Sequence, residues 1–164
     1  MNVLLDSSSV INLHNAGALA LVSRLKRCRF WLPPMVVSEC QVGSAAAILE
    51  LQAADAIGFL DDDIVPTDRF LELLELHELG DGETECIAIC ELNGHMLCCD
   101  DRKAREAAST LFGQDRVVGT IRVLRWCVEE GLADCGQAHD LFRSMRAAGG
   151  FLPNTDRTFF CTDS

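Results

Sequence analysis

Short apolar runs that alternate with longer helical patterns constrain the fold of this chain more than any other feature. Four runs are too short for buried helices: residues 2–5, 30–32, 95–99 and 116–119. A helical pattern follows each of them, and this alternation predicts parallel strands that are covered on both faces. An acidic turn leaves room for one more short strand, at residues 64–65. The sequence therefore predicts an α/β fold, a three-layer α/β/α sandwich with a central, mainly parallel sheet.

The helices are predicted from apolar residues at helical spacing and from capping residues at the helix ends. The expected helices cover residues 9–15, 18–27, 35–42, 45–56, 69–79, 83–94, 102–113, 120–132 and 138–150. Pro34 suits the first turn of the third helix, and Gly94 suits the end of the sixth. The 164 residues, of which 49% are apolar, are expected to form a single domain over residues 1–164.

Charge and cysteine content narrow the functional classes. The 25 acids and 14 Lys and Arg residues give a net charge of −11. This charge argues against broad binding to nucleic acid, but it permits a local basic rim beside an acidic site. An odd number of cysteines, nine, and the lack of a signal-peptide pattern favour a reduced, cytoplasmic location. No apolar run approaches the ~18 residues of a membrane span.

The cysteines are expected to be small core residues, because most of them lie in apolar segments. This reading applies to Cys86, Cys90, Cys98, Cys99 and Cys127. A zinc site is the alternative, but the sequence has no CxxC pair and no histidine at ligand spacing.

Acidic residues recur where the predicted segments meet. Asp6 follows the first strand, and Asp100 and Asp101 follow the strand before the seventh helix. Glu83 opens the helix that leads into that same strand, and Glu39 lies in the helix after the second strand. All of them can reach one cleft, because the carboxyl ends of parallel strands meet at one sheet edge. Clustered carboxylates repel one another, so this pattern predicts a Mg²⁺ or Mn²⁺ site suited to phosphodiester hydrolysis.

Helix capping is the alternative explanation for most of these acids. Asp6, Asp100 and Asp101 each precede a helix, where an Asp side chain accepts main-chain N–H groups. Glu83 suits a first helical turn because of the helix dipole. Glu85 shares that explanation and is expected to be solvated. Glu39 lies farther from its helix start, so a site is favoured over a solvated face for this residue.

Five segments in this order resemble the PIN-domain family: LLDSSSVINL, PPMVVSEC, LGDGETECIAI, LCCDDRKAREAA and VVGTIRVL. The resemblance covers residues 3–131 and leaves a C-terminal helix and tail at 132–164. It implies a PIN-like fold and a metal-dependent ribonuclease that uses Mg²⁺ or Mn²⁺. Many members of that family are the toxins of toxin–antitoxin pairs.

The resemblance also implies which acids bind the metal. Asp6, Glu39 and Glu83 match the family's first three acids. The fourth is Asp100 or Asp101. Asp100 is preferred because it is nearest the strand end, and Asp101 is then an outer acid of the metal site.

Hydroxyl and basic residues complete the implied site. Ser8 and Thr120 match hydroxyls that support a carboxylate or a metal-bound water. A basic rim would hold RNA phosphates through Arg102, Arg105 and Arg122, although ordinary surface charge explains them equally well. The sequence departs from the family pattern at Arg122, where a small residue is common, and at the Cys98–Cys99 pair. Neither departure removes an acid.

The expected function is metal-dependent hydrolysis of RNA, with a toxin–antitoxin pair as a further implication. The expected partners are RNA, an antitoxin protein and a second copy of the chain, with no membrane. The helix at 69–79 is a candidate dimer interface, and core packing is its alternative. Two other functions stay open: a non-catalytic PIN-like binding or regulatory partner, and a small-molecule phosphatase.

Overall fold

The computed structural model describes residues 1–40, 43–61 and 64–161. Its centre is a sheet in which each described strand runs parallel to its neighbours. The strands are β1 (Asn2–Leu5), β2 (Arg29–Leu32), β3 (Gly58–Phe59), β4 (Met96–Cys98) and β5 (Val117–Val118). Helices flank this parallel sheet, which confirms the predicted α/β architecture.

The strand order, β3-β2-β1-β4-β5, places β1 at the centre of the sheet. The chain first adds β2 and β3 on one side of β1 and then returns to add β4 and β5 on the other. The order therefore reverses between β1 and β4, which pair up to Leu5 and Cys98 at their carboxyl ends. Open parallel sheets bind ligands at this reversal, outside the strand ends. The chain places Asp6 directly after β1, and Asp100 and Asp101 shortly after β4.

The described helices follow the predicted order. They are α1 (Ser7–Asn15), α2 (Leu19–Val22), α3 (Pro34–Glu39), α4 (Ala45–Ala53), α5 (Thr67–His77), α6 (Asp81–Asn93), α7 (Arg102–Phe112), α8 (Thr120–Glu129) and α9 (Cys135–Ala147). Helix α6 packs against α3, α5 and α7, while α8 packs against α9 and α2. None of the helices in the described ranges is long and apolar enough to cross a membrane.

Helix α2 is much shorter than the predicted helix at 18–27. The chain leaves the helix after Val22, and the main-chain N–H groups of Lys26 and Arg27 donate to the carboxylate of Glu130, at 2.8 and 3.2 Å. The Arg27 side chain also pairs with Glu130. This contact with the end of α8 outweighs the local helical pattern, so the helix predicted from that pattern is too long.

The predicted strand at 64–65 is wrong. The outer strand is β3, in which Gly58 pairs with Trp31 of β2, whereas Ile64 is exposed. A Cβ atom on Gly58 would lie 2.3 Å from the Trp31 ring, so glycine is needed for this close approach. The predicted helix at 35–42 corresponds to α3, and its residues 41–42 lie outside the described part of the chain.

The cysteines divide into a free group and one pair. Seven are free and buried, including the five for which core positions were predicted, so that prediction is confirmed. Cys135 and Cys161 form a disulfide, with their Cα atoms 5.0 Å apart. This pair departs from the expectation of reduced thiols. It joins the start of α9 to the residue that follows the 3-10 turn at Arg157–Phe160.

Candidate metal centre

Asp6 lies at the carboxyl end of β1 and caps α1. Its Oδ1 accepts the Ser9 N–H at 2.8 Å, and its Oδ2 accepts the Ser8 hydroxyl at 2.7 Å. The residue is 1% exposed. Burial raises the pKa of the Asp6 carboxyl above its usual range, although hydrogen bonds from Cys99, Ser9 and Ser8 oppose this shift. Asp6 is therefore both a cap, as the alternative explanation held, and a buried acid whose charge is poorly solvated.

Glu83 lies in the first turn of α6 and interacts electrostatically with three other acids. Its Oε2 accepts the Gly80 N–H at 3.1 Å. Partial burial raises the pKa of the Glu83 carboxyl, and the negative charges of Asp101, Asp6 and Glu39 raise it further. The three other carboxylates therefore lie within electrostatic reach of Glu83. This set of Asp6, Glu39, Glu83 and Asp101 is called the acidic cluster below.

Glu39 reaches the acidic cluster from the last turn of α3. Its Oε1 accepts the main-chain N–H of Gly82 at 3.0 Å. A Cβ atom on Gly82 would lie only 2.6 Å from Oε2 of Glu39. The glycine in the first turn of α6 therefore makes room for the Glu39 carboxylate.

Asp100 and Asp101 are adjacent in sequence but make different contacts. Oδ1 of Asp100 accepts the Thr120 N–H at 2.9 Å, and Oδ2 accepts the Thr120 hydroxyl at 2.7 Å and the Asn12 side-chain amide at 2.8 Å. Both oxygens of Asp100 are thus occupied by groups from α8 and α1. Asp101 caps α7 through Oδ1, which accepts the Ala104 N–H at 2.9 Å. Within the described residues, its Oδ2 accepts no hydrogen bond.

The two predicted hydroxyls both contact an acid. Ser8 donates to Asp6 and also accepts the Asp100 N–H at 3.3 Å, so it links the ends of β1 and β4. Thr120 is fully buried and donates to Asp100. Sequence reasoning did not identify Asn12, which is 7% exposed and donates to the same carboxylate. The available signal was a single amide among the apolar residues of VINL.

The burial of Glu85 differs from the prediction made for it. It was expected to be solvated, but it is only 9% exposed. Its Oε2 accepts the Met35 N–H at 2.9 Å, at the start of α3. A carboxylate suits this position because the first turn of a helix presents unpaired N–H groups. The buried run that follows it, CIAIC, was the available signal that this face of α6 is covered.

The cysteines next to the acids are inert core residues. Burial raises the pKa of both the Cys98 and Cys99 thiols, and the charges of nearby acids raise it further. A thiol in this state stays protonated and is a poor metal ligand or nucleophile. The Cys99 thiol is a hydrogen-bond partner of Asp6.

The three predicted rim arginines differ in what they contact. Arg105 is half-buried, and its Nη1 donates to the Cys99 carbonyl at 2.9 Å. Arg102 is exposed and pairs with Glu106 one turn along α7, at 2.8 Å. Arg122 is exposed and forms no ion pair with any acid in the described ranges. All three line cavities that also reach Asp100.

The donor set determines what this site could bind. Carboxylate oxygens are the ligands that Mg²⁺ and Mn²⁺ prefer, and four repelling carboxylates favour a cation between them. In the part of the chain that the structure describes, no group of three or more acidic, histidine or cysteine side chains could hold a metal ion as they stand. Glu39 and Glu83 each use one oxygen for a main-chain N–H group, and among the described residues the other oxygen accepts no hydrogen bond. The acidic cluster therefore fits a hard divalent cation in its chemistry without being fully assembled for one.

Comparison with known proteins gives one positive finding. A family model described as a PIN domain matches residues 2–158. The match includes each acid of the acidic cluster and the C-terminal helix α9. None of the curated proteins compared with the chain matches it.

Proposed function

The chain belongs to the PIN-domain family, and from this premise we propose that it is a metal-dependent endoribonuclease that hydrolyses RNA phosphodiester bonds. PIN domains are generally nucleases. The observation that carries the proposal is the acidic cluster at the point where the strand order reverses. Asp6, Glu83 and Glu39 come from three separate elements, and Asp101 joins them from the start of α7.

Asp6, Glu39, Glu83 and Asp101 would hold one or two Mg²⁺ or Mn²⁺ ions. When bound, the cation supplies Lewis-acid stabilisation of the developing phosphoryl charge and lowers the pKa of an attacking water. The contacts of Asp101 support it as the fourth ligand, since one of its oxygens is free among the described residues and it repels Glu83. We assign Asp100 a supporting role instead, because its two oxygens accept hydrogen bonds from Thr120 of α8 and Asn12 of α1.

Polar residues around the cluster would orient the acids and the substrate. Ser8 holds Asp6 with a hydrogen bond, and Thr120 holds Asp100 in the same way. Arg102, Arg105 and Arg122 would contact RNA phosphates and offset the net negative charge of the protein near the site.

Several partners belong to the same proposal. If the protein is the toxin of a toxin–antitoxin pair, its antitoxin would cover the acidic cluster and pair with the rim arginines. A homodimer would use α5, on which Leu71 and Leu76 are exposed. We also propose that residues 1–164 form one domain, of which residues 162–164 lie outside the described ranges. We further propose that the protein acts in the cytoplasm.

Cleavage of a labelled RNA pool by wild-type protein and by Asp6→Asn, with Mg²⁺, Mn²⁺ or EDTA, tests the proposal. We expect metal-dependent cutting that falls by at least ~100-fold in Asp6→Asn, because loss of a direct ligand exceeds the effect of losing an outer contact. Glu75→Gln is the matched control, since Glu75 is exposed on α5. Equal cutting by wild type and Asp6→Asn would contradict the assignment.

A second function is supported by one observation. The described residues contain no group that could hold a metal ion as it stands, which suits a binding or regulatory partner that no longer cleaves RNA. Such a module should show no rise in melting temperature with Mn²⁺. A Mn²⁺-dependent rise that is lost in Asp6→Asn would rule this function out.

A further inference from the structure

Cys135 and Cys161 differ from the other cysteines of the chain in their exposure. The seven free cysteines are buried, whereas both members of this pair are half-buried. Their Cα atoms are 5.0 Å apart, which is within the usual range for a disulfide. Thiol–disulfide exchange needs access of a thiolate to a sulfur atom. Among the nine cysteines, all of which lie in the described ranges, exchange in the folded protein can therefore reach this pair and not the buried seven.

The disulfide holds a segment that has few other attachments to the fold. Between residues 153 and 161, Phe160 is the one buried residue. Its ring packs against Phe142 of α9 and against His139, with centroids 5.9 and 6.1 Å apart. Residues 153–161 are called the C-terminal segment below. Its packing on the core therefore depends on a single side chain.

The main-chain hydrogen bonds of the C-terminal segment add little to this attachment. The N–H of Phe159 donates to the Asp156 carbonyl at 3.3 Å, and that of Cys161 donates to the Thr158 carbonyl at 3.1 Å. Both acceptors belong to the segment itself, so these bonds stabilise its 3-10 turn without joining it to α8 or α9. A segment with few buried apolar contacts opens at a low free-energy cost.

Two contacts do join side chains of the C-terminal segment to the helices. Asn154 accepts a 2.9 Å hydrogen bond from Arg146, and both residues are exposed. The Arg125 guanidinium lies over the Phe159 ring, 5.4 Å from its centroid. Contacts of this kind at the surface contribute little to stability. The covalent bond to Cys135 is therefore the strongest link between this segment and α9.

The C-terminal segment also forms one side of a cavity beside the acidic cluster. This cavity has a volume of about 290 Å³. The segment lines it with residues 153–155 and Phe159, and the other side includes Asp100, Arg105 and Arg122. Departure of the segment would therefore open the surface next to Asp100, which supports the proposed metal site.

We propose that the Cys135–Cys161 disulfide is a reversible thiol switch. In the oxidised form the disulfide holds the C-terminal segment over the cavity beside Asp100, and in the reduced form the segment leaves and the cavity opens. A disulfide in a reducing compartment is generally transient and redox-sensing, which agrees with the cytoplasmic location proposed above. The switch goes beyond the proposed function, because it concerns the state of the fold and not the reaction.

The switch uses a low-molecular-weight dithiol as its reductant. One thiolate of the dithiol attacks a sulfur of the pair, which forms a mixed disulfide and releases the other cysteine as a thiol. The second thiolate of the dithiol then displaces the remaining cysteine. The pair gains two electrons and two protons, and the dithiol is oxidised to a disulfide. A low-molecular-weight disulfide returns the pair to the oxidised form by the reverse exchange.

Hydrogen–deuterium exchange of the full chain tests this inference without RNA. Wild-type protein is compared before and after treatment with dithiothreitol, and again after reoxidation with glutathione disulfide. We expect amides in peptides that cover residues 153–161 to exchange at least about tenfold faster after reduction, because local opening then needs only the release of Phe160. Peptides from α6 should exchange equally in all three samples, and reoxidation should restore the slow rate.

Alkylation of the folded protein counts the thiols that take part. With iodoacetamide, the reduced protein should gain two labels and the oxidised protein none, since the other seven cysteines are buried. Cys135→Ser and Cys161→Ser should each show the fast exchange of residues 153–161 without any reductant, and dithiothreitol should not change it. Arg143→Ala is the matched control, because Arg143 is exposed on α9 and both cysteines remain. This variant should respond to reduction as wild type does.

Three results would overturn the switch. Equal exchange of residues 153–161 in both redox states would make the disulfide a link that the segment does not need. Two labels on the protein before any reductant is added would show that the pair does not form a disulfide. Reduction that succeeds only in denaturant would leave a permanent structural bond. Each of these results is independent of RNA cutting, so loss of the switch and loss of the proposed nuclease are distinguishable.

Discussion

The main-chain N–H of Gly82 donates a 3.0 Å hydrogen bond to the side chain of Glu39. The carboxylate at the end of α3 thereby contacts the first turn of α6, although Glu39 and Gly82 are 43 residues apart in the chain. The contact brings Glu39 to the acidic cluster, and it depends on the missing Cβ atom of Gly82.

Gly82→Ala should displace the Glu39 carboxylate, because the new Cβ atom would lie 2.6 Å from Oε2. We expect Mn²⁺ affinity, measured by titration of the melting temperature, to fall by about tenfold. The free energy of unfolding should change by less than about 1 kcal/mol, since alanine favours the helix. Gly136→Ala is the matched control, because Gly136 occupies the same second position in α9. Equal Mn²⁺ affinity in both variants would show that Glu39 is no ligand.

Asp100→Asn and Asp101→Asn should affect different properties: the first should lower stability, and the second should lower metal affinity. Asp101→Asn keeps the cap of α7, because Asn caps helices about as well as Asp, but it should lower Mn²⁺ affinity by more than about tenfold. Asp100→Asn replaces an acceptor oxygen with an amide group that faces the donors of Thr120 and Asn12. Its free energy of unfolding should fall by about 1–3 kcal/mol.

Urea unfolding and Mn²⁺ titration of these two variants give the comparison. The assignment of Asp101 as the fourth ligand fails if Asp100→Asn loses metal affinity at unchanged stability while Asp101→Asn keeps it.

The stability of the metal-free protein should depend on pH through Asp6 and Glu83. Burial holds the pKa of both carboxyls above the usual 3.8 and 4.5. The folded state therefore binds these protons more tightly than the unfolded chain does. Their contribution to stability is fully present below the usual pKa and is lost as pH rises through the raised folded values.

We therefore expect Asp6→Asn and Glu83→Gln to lose less stability than wild type as pH is raised from about 4 towards neutral. Melting temperature against pH in EDTA measures this difference, and Glu75→Gln should follow wild type. Added Mg²⁺ should raise the wild-type melting temperature most at neutral pH, where the acids are charged. If the wild-type profile coincides with that of Asp6→Asn, ionisation of the buried Asp6 carboxyl does not lower the stability of the protein.

Glu85→Ala should destabilise the fold, because it removes the acceptor of the Met35 N–H at the start of α3. We expect the free energy of unfolding to fall by about 1–3 kcal/mol. Glu75→Ala, on the exposed face of α5, should change it by less than about 0.5 kcal/mol. Similar values for the two variants would mean that the buried carboxylate adds nothing to stability.

The sheet and the positions of the acids along the chain were predictable because they depend on local pattern. The strands β1, β2, β4 and β5 were predicted from short apolar runs. Because parallel strands end at the same edge of the sheet, the acids that follow β1 and β4 were expected at that edge. Strand β3 was not predictable, since Gly58 and Phe59 join the sheet only by pairing with β2. Helix α2 was predicted too long for a similar reason. The N–H groups of Lys26 and Arg27 donate to Glu130, the residue that follows α8, and this contact depends on tertiary packing.

The contacts of the site depended on side-chain direction, which the sequence does not contain. Asp100 and Asp101 both follow β4, and adjacent residues at a strand end point to different sides. One side leads to Thr120 and Asn12, and the other leads to Glu83. Each neighbour comes from a distant part of the chain, so the sequence alone does not show which contacts each of the two acids makes.

The segment after α9 is tied back to the fold at two points. The Gly150 N–H donates to the Met145 carbonyl at 2.9 Å, and the Cys135–Cys161 disulfide joins the start of α9 to the residue after the 3-10 turn at Arg157–Phe160. The acidic cluster lies within residues 6–101, so exchange of this tied segment would change the surface beside α9 without replacing any of the four acids.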